Sequence, residues 1–253
     1  MKIITYNVNG LRSAINNNFI NWVNASQPDV LCIQESRAPI IELNLDPFRE
    51  MGYSVYWNEA HKPGYSGVIT FSKIAPLAIQ KSIKINSPDE EGRFLRLDFD
   101  DFTLLNVYVP AGSGDTNRLT FKFEWISQLI TYIDTLLKDR EDIIICGDLN
   151  ISHKRKDIHN PRASSLRAGF LPQERLWFDD LLDLGFIDTF RQFNQEPHQY
   201  TWWQQGPLGR KQNLGSRIDY ILATENLKQR LKRSMILSSA QHSDHCPVLL
   251  ELA

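Results

Sequence analysis

Short runs of apolar residues recur along the chain, broken by polar turns. The pattern predicts strands over 2–8 (KIITYNV), 29–34 (DVLCIQ), 53–57, 67–72, 76–85, 93–98, 102–109 (FTLLNVYV), 143–147 (IIICG), 199–203, 217–223 (RIDYILA) and 247–252 (PVLLEL). Several of these are apolar at nearly every position, which requires burial on both faces. Helical spacing is clearest over 117–138, where Leu119, Phe123, Ile126, Ile130, Ile133 and Leu137 fall on one stripe. Shorter helices are expected over 17–26, closed by Pro28, and over 173–184, followed by Gly185 as a C-cap. Strand-rich halves with helices along their outsides point to an α/β protein of two packed sheets covered by helices.

No internal repeat, low-complexity tract or long Gly/Pro/Ser linker divides the 253 residues, so one domain over 1–253 is expected. A hydrophobic fraction of 42% and a charged fraction of 23% are those of an ordinary globular protein. The formal net charge of −2 argues against a polycation that coats nucleic acid by charge alone. Any basic surface is therefore local, and the runs Lys154-Arg155-Lys156, Arg162 with Arg167, and Lys228, Arg230, Lys232, Arg233 read first as solvated faces. Cys32, Cys146 and Cys246 are odd in number, and the first two sit in apolar runs, so no disulfide framework is expected. No stretch resembles a signal peptide or reaches the ~18 apolar residues of a membrane span. A reducing, cytoplasmic setting without membrane attachment follows as the expectation.

Polar residues that suit metals or phosphates gather at the strand ends. The first strand ends in Asn7-Val8-Asn9-Gly10, the second runs into Gln34-Glu35, and 102–109 carries Tyr108. Strand 143–147 exits at Gly147-Asp148-Leu149-Asn150, 217–223 contains Asp219, and Ser243-Asp244-His245 precedes the last strand. One such residue alone caps a turn or is solvated. Six strand ends carrying carboxylate, amide, imidazole or phenol instead describe a site, because converging strand ends are where open α/β sites form. Oxygen ligands with one imidazole and no cysteine cluster suit a hard cation, Mg²⁺ or Mn²⁺, better than Zn²⁺. Phosphodiester hydrolysis needs an oriented water, a group to take its proton, and donors on the phosphoryl oxygens, and these residues can fill each role.

In order, KIITYNVNGLR, PDVLCIQESR, GYSGV, NVYVP, GDLNISH, AGFLPQER, YTWW, RIDY and SDHCPV resemble the exodeoxyribonuclease III family of abasic-site endonucleases. The resemblance covers essentially the whole chain. GDLN or SDH alone marks only the wider endonuclease/exonuclease/phosphatase superfamily; QES, AGF..QER and TWW belong to the DNA-repair branch. The fold it implies is the DNase I-like four-layer α/β sandwich, two packed, mainly antiparallel or mixed sheets flanked by helices, with the site at one end. By resemblance, Glu35 is the principal metal ligand, supported by Asn7 and Asn9 directly or through water. Asp148 orients or deprotonates the attacking water with Asn150 as its companion, and both count among the implied ligands. His245 binds the scissile phosphate, oriented by Asp219, and counts among the implied metal ligands; Asp244 beside it can hold a second cation or shape the site. Tyr108 donates to the phosphate or the leaving oxygen.

The same resemblance places Trp202, Ile218 and Ser216 around an abasic deoxyribose, with Asn9 and Arg167 also on the substrate. Two positions depart from it: Ala111 stands where relatives carry Asn or Gln, and Ser216 where several carry Trp or Leu. The implied activity is Mg²⁺-dependent hydrolysis of duplex DNA 5′ of abasic sites, with 3′→5′ removal of nucleotides or blocking groups, by a monomer. Two alternatives are a related enzyme acting on RNA or another phosphate ester, and a catalytically silent nucleic-acid-binding regulator that kept the fold.

Overall fold

The run KIITYN is apolar enough to be buried from both sides, and it forms the centre of a sheet as β1 (Lys2–Asn7). The computed structural model describes residues 1–83, 89–204 and 208–253. From β1 the chain passes through α1 (Leu11–Asn16) and α2 (Phe19–Ser26) to β2 (Val30–Gln34), which lies parallel to β1. There follow α3 (Asp46–Glu50), β3 (Ser54–Asn58), β4 (Val68–Ser72), β5 (Ala78–Gln80), β6 (Phe94–Asp98) and β7 (Thr103–Tyr108). Helix α4 (Thr116–Leu136) then crosses to β8 (Ile143–Asp148), parallel to β7. The last elements are α5 (Pro172–Asp183), β9 (Phe186–Asp188), α6 (Thr189–Phe193), β10 (Trp202–Trp203), β11 (Gly215–Ser216), β12 (Asp219–Thr224), β13 (Leu231–Ile236) and β14 (Val248–Leu252).

Two six-stranded mixed sheets result, ordered β13-β14-β1-β2-β4-β3 and β5-β6-β7-β8-β12-β9, with β10 and β11 as a separate pair. Ile3, Val30, Cys32, Leu104, Ile144, Cys146, Ile221 and Leu250 fill the space between the sheets. The outer face of the first sheet packs on α1, α2 and α3 through Leu11, Phe19, Val23 and Phe48. The outer face of the second packs on α4 and α5 through Trp125, Leu129, Ile133, Trp177 and Phe178. Each such side chain contributes about 1.5–3 kcal/mol by leaving water. This is the expected four-layer sandwich.

Topology sets the site. Each sheet holds one parallel pair joined through helices, and parallel strands end on the same edge. Asn7 stands opposite Gln34, next to Glu35, and Tyr108 opposite Asp148. The antiparallel neighbour β12 begins at that edge, with Asp219 opposite Asp148, and β14 begins there after His245. Gly147 keeps β7 and β8 close: its φ is +138°, and a Cβ there would lie 1.9 Å from Val107 O.

Several elements differ from the pattern reading. The helix expected over 17–26 begins at Phe19 as α2, after Asn18 in a left-handed φ of 66°, and α1 (Leu11–Asn16) precedes it unforeseen. The strand expected over 76–85 narrows to β5, an edge strand whose ladder runs only from Ala78 to Gln80; positions 84–85 lie outside the described residues. The buried stripe of α4 is Lys122, Trp125, Ile126, Leu129, Ile133 and Leu136, rotated from the expected one, because the helix is apolar over a wide arc and its sheet takes the edge bearing Trp125 and Leu129. Strands β9, β11 and β13 escaped the pattern, two being short and the third an edge strand in which Lys232 and Arg233 are exposed.

Candidate active site

The two sheets meet their chemistry at one edge. Asn7 Nδ2 donates to Glu35 Oε1 at 2.8 Å and to Asp148 Oδ2 at 2.8 Å, so one amide ties the first sheet's carboxylate to the second's. Its Oδ1 accepts from the Asn9 backbone N–H at 3.0 Å. Asn150 Nδ2 donates to Val109 O at 2.9 Å and Asp148 Oδ2 at 3.2 Å, and its backbone N–H to Asp148 Oδ1 at 2.8 Å. His245 Nδ1 meets Asp219 Oδ2 at 2.9 Å, which leaves Nε2 as its free ring nitrogen among the described residues. Ligating atoms of Glu35, Asp148 and His245 all lie within 4.8 Å of one another.

Backbone shape holds these side chains at a cost. Asn9, Glu35 and Asn150 have φ of 49°, 53° and 50°, a left-handed region that costs a residue with a Cβ about 1–2 kcal/mol. At Glu35 the turn is pinned by its flanks: Gly10 N–H donates to Glu35 O at 2.8 Å, and Ser36 N–H to Gly67 O at 3.1 Å. Arg37 Nε then donates to Glu35 Oε2 at 2.7 Å, holding the carboxylate from the solvent side.

Charge in the cluster is uneven. Burial above all, then the charge of Asp219, pushes the Asp148 carboxyl up to about 7, against the opposing pull of His245 and Asn7. Burial works against an imidazolium at His245, yet Asp219 outweighs it, helped by Asp148 and Asp244, and pushes the ring up to about 10. The ring is therefore a cation near neutral pH, fit to donate to an anion. Burial and the adjacent Glu35 raise the Tyr108 phenol well above its ordinary range, so it stays a donor. The Arg93 guanidinium lies 4.4 Å from the Tyr108 ring centroid and donates to Tyr108 O at 3.1 Å.

Of the other expected residues, Asp244 sits beside the cluster with its oxygens engaged, by Asn9 Nδ2 at 2.9 Å and Trp202 Nε1 at 3.1 Å. His245 draws its carboxyl below the usual range despite burial. Trp202, Ser216 and Arg167 line one cavity next to it. Ile218 is buried outside that lining; its N–H donates to Thr201 Oγ1 at 3.0 Å. Trp203 turns away from Trp202 and packs with Tyr200 and Cys246, as alternation along a strand predicts.

Sequence reasoning passed over three supports of the site. Lys122 and Glu174 form an ion pair at 2.5 Å, both with no exposed side-chain surface. Lys122 Nζ donates to Asn150 O at 2.8 Å, and Glu174 accepts from Gly169 N at 3.0 Å and Leu171 N at 2.8 Å. The pair thus ties α4 to the turn bearing Asn150 and to the loop before α5. Asp157, Arg191, Arg217 and Asp188 form a second buried network that anchors the residues before Asp219. Arg37 is the third, and its place two residues after Glu35 was its only signal.

With this geometry, a helix-flanked pair of mixed sheets carrying carboxylates and one imidazole at a shared edge defines a hydrolase of phosphate esters. The chain belongs to the Endonuclease/Exonuclease/phosphatase family, whose pattern it matches over residues 4–245. It is 37% identical over 252 residues, 99% of this chain and 98% of the relative, to the exodeoxyribonuclease of Bacillus subtilis (strain 168). It is 36% identical over 256 residues, 100% of this chain and 82% of the relative, to the DNA repair nuclease APEX1 of Danio rerio. Among solved structures it is similar to the 3′ phosphatase NExo from Neisseria bound to product DNA hairpin, with a TM-score of 0.93, 26% identity and coverage of 100% of this chain and 99% of that one. An AP endonuclease from Archaeoglobus fulgidus gives a TM-score of 0.90 at 27% identity, covering 100% and 99%.

Proposed function

We propose that this chain is a DNA-repair phosphodiesterase that cuts duplex DNA 5′ of abasic sites and removes nucleotides or blocking groups from 3′ ends. The observation that carries the reading is the meeting of Glu35, Asp148 and His245 across the two sheets, with ligating atoms within 4.8 Å. The donor set fits a hard cation. Asp148 is buried, yet among the described residues its oxygens accept only from the amides of Asn7 and Asn150, and Asp219 Oδ1 is buried with no partner. Buried carboxylates short of positive charge are offset by a cation. Glu35 and Asp148, with Asn7 and Asn150 beside them, are the residues that hold Mg²⁺ in this reading. When bound, that ion supplies positive charge to the phosphoryl oxygens.

The chain's own groups perform the rest. Asp148 takes the proton of the attacking water, and Asn150 fixes its orientation. His245, kept cationic and oriented by Asp219, donates from Nε2 to a non-bridging oxygen. Tyr108, kept protonated by burial, donates to the phosphate or the leaving oxygen. Among the described residues no helix is long and apolar enough to cross a membrane, and three buried free cysteines fit a reducing, cytoplasmic setting.

The test is cleavage of a labelled duplex with one abasic site, beside an intact duplex with a recessed 3′ end, each with Mg²⁺ and with chelator. Metal-dependent incision of the first and trimming of the second are expected. Silence on both, with cleavage of an RNA of the same sequence, overturns the reading.

A further inference from the structure

Arg93 immediately precedes β6 and stands beside the last residue of β7, where Tyr108 N–H donates to Arg93 O at 2.8 Å. Its side chain is 2% exposed. All three guanidinium nitrogens are engaged: Nη1 donates to Tyr108 O at 3.1 Å, Nε to Glu91 Oε2 at 2.6 Å and Nη2 to Tyr65 Oη at 3.1 Å. The planar fork itself lies over the Tyr108 ring, 4.4 Å from its centroid. Arg118 of α4 completes the frame, donating to Glu91 Oε1 at 2.8 Å and to Tyr65 Oη at 2.9 Å.

A buried guanidinium is a costly way to flank a strand end, because it must leave water and an apolar side chain of similar size would fill the space. Its contacts show where the charge is used. Tyr108 is held twice by this one group, at its main-chain carbonyl and across the face of its ring. A cation on an aromatic face is attracted by the negative quadrupole of the ring and draws density from it. In a phenol part of that density comes from the oxygen, so the O–H becomes a stronger donor, as polar groups in a buried chain polarise one another. A lysine has no planar fork with which to meet three partners and a ring at once. Glu91 and Tyr65, both shared with Arg118, fix the guanidinium in turn.

We propose that Arg93 is a positioning residue for the hydrolysis and acts through Tyr108: it holds the phenol in place and strengthens its O–H as a donor to the phosphate, while touching no substrate itself. The proposal rests on the phosphodiesterase reading above, with Tyr108 as a donor. Negative charge on the phosphoryl and leaving oxygens grows toward the transition state, so a stronger donor acts on the rate more than on binding. No bond forms or breaks at Arg93, and its protons stay where they are.

The test is a double-mutant cycle in the full chain, with Mg²⁺ and a duplex carrying one tetrahydrofuran abasic analogue. It is read as the single-turnover rate constant and the enzyme concentration that gives half of it. Tyr108→Phe is expected to lower the rate constant about 10²-fold, as loss of one transition-state donor does. Arg93→Met is expected to lower it about tenfold or more, and Arg93→Lys, which keeps a cation at the position, by a smaller factor, with the half-saturating concentration within about twofold of the parent. In the Tyr108→Phe background, which keeps the ring and lacks the hydroxyl, either change at Arg93 is expected to add less than about twofold. Circular dichroism identifies a variant that has lost its fold, and where Arg93→Met has, Arg93→Lys carries the cycle alone. Arg93 variants with the parent's rate constant, an Arg93 effect equally large with and without the hydroxyl, or a change confined to the half-saturating concentration overturns this inference and leaves the phosphodiesterase reading standing. A parent chain that cuts nothing with Mg²⁺ overturns that reading and this inference with it.

Discussion

At the scale of single residues, Asp148 and His245 carry opposite duties because their surroundings drive them apart. Asp148 is surrounded by burial and by Asp219, so its carboxylate is made basic; His245 is surrounded by three carboxylates, so its ring is held cationic. In the proposed mechanism Asp148→Asn removes the proton acceptor, and His245→Ala removes the charge beside the phosphate. Each is expected to lower turnover by about 10²-fold or more with the fold intact by circular dichroism. Turnover within a few-fold of the parent in either variant sinks that residue's role. Glu35→Ala is expected to raise the Mg²⁺ concentration for half-maximal rate, read from a metal titration, with a smaller effect at saturating Mg²⁺. These residues were legible in the sequence because each ends or begins an apolar strand, where a carboxylate or imidazole has no core to join. Lys122 was not legible, since a lysine among the apolar residues of an amphipathic helix has the same pattern whether it snorkels to solvent or pairs inside.

At the scale of elements, strands buried on both faces announced themselves, and those at edges did not. β1, β2, β7 and β8 are runs of apolar residues that only a central parallel position accommodates. Among the described residues β13, with LKRSMI, pairs only with β14 and keeps Lys232 and Arg233 exposed, so its sequence carries no hydrophobic run. Helix α4 was located but its facing only in part, Ile126 and Ile133 being shared by the expected and observed stripes, because the packing partner chooses among apolar positions on a wide arc. That choice brings Lys122 against Glu174 and gives the two helices α4 and α5 a shared buried ion pair behind Asn150. Burial pushes the Lys122 ammonium below its ordinary value, with Glu174 opposing. Lys122→Met strands the Glu174 carboxylate in the core and is expected to cost about 3–5 kcal/mol in urea unfolding. The double variant Lys122→Met with Glu174→Leu is expected to recover part of that loss, because two apolar groups leave no buried charge behind. A single variant that costs under about 1 kcal/mol would show that the pair is not what joins these helices.

At the scale of the whole molecule, the site exists only while the two sheets keep their relative position, since Asn7 and Glu35 belong to one and Tyr108, Asp148 and Asp219 to the other. A buried polar link crosses the interface: Asn106 Nδ2 of β7 donates to Ile69 O at 3.0 Å, and Gln34 Nε2 of β2 donates to Asn106 Oδ1 at 2.7 Å. The second sheet's outer end is held by charge. Asp157 Oδ1 accepts from Arg191 Nη2 at 2.5 Å and Arg217 Nε at 2.9 Å, and Arg217 Nη2 donates to Asp188 Oδ2 at 2.6 Å. Burial alone would raise the Asp157 carboxyl, but Arg217 and then Arg191 outweigh it and hold it at about 2, below the ordinary 3.8. A carboxyl depressed by folding contributes stability that is complete above its unfolded value and disappears as pH falls through its folded one. For Asp157 that window runs from about 4 down to about 2, and the contribution lost across it is on the order of 2 kcal/mol. Asp148, raised to about 7, has the opposite sign, and its change is complete above this window. Asp157→Asn removes the titrating group and leaves two buried guanidiniums without their shared counter-charge, so it is expected to be destabilised most at pH 5. The gap to the parent should shrink as pH is lowered toward 2, because the parent then loses the same charge. Urea unfolding of both proteins across that range measures the gap directly. A gap that stays constant with pH would mean that folding leaves the Asp157 carboxyl at its unfolded value, and that Arg191 and Arg217 do not depress it.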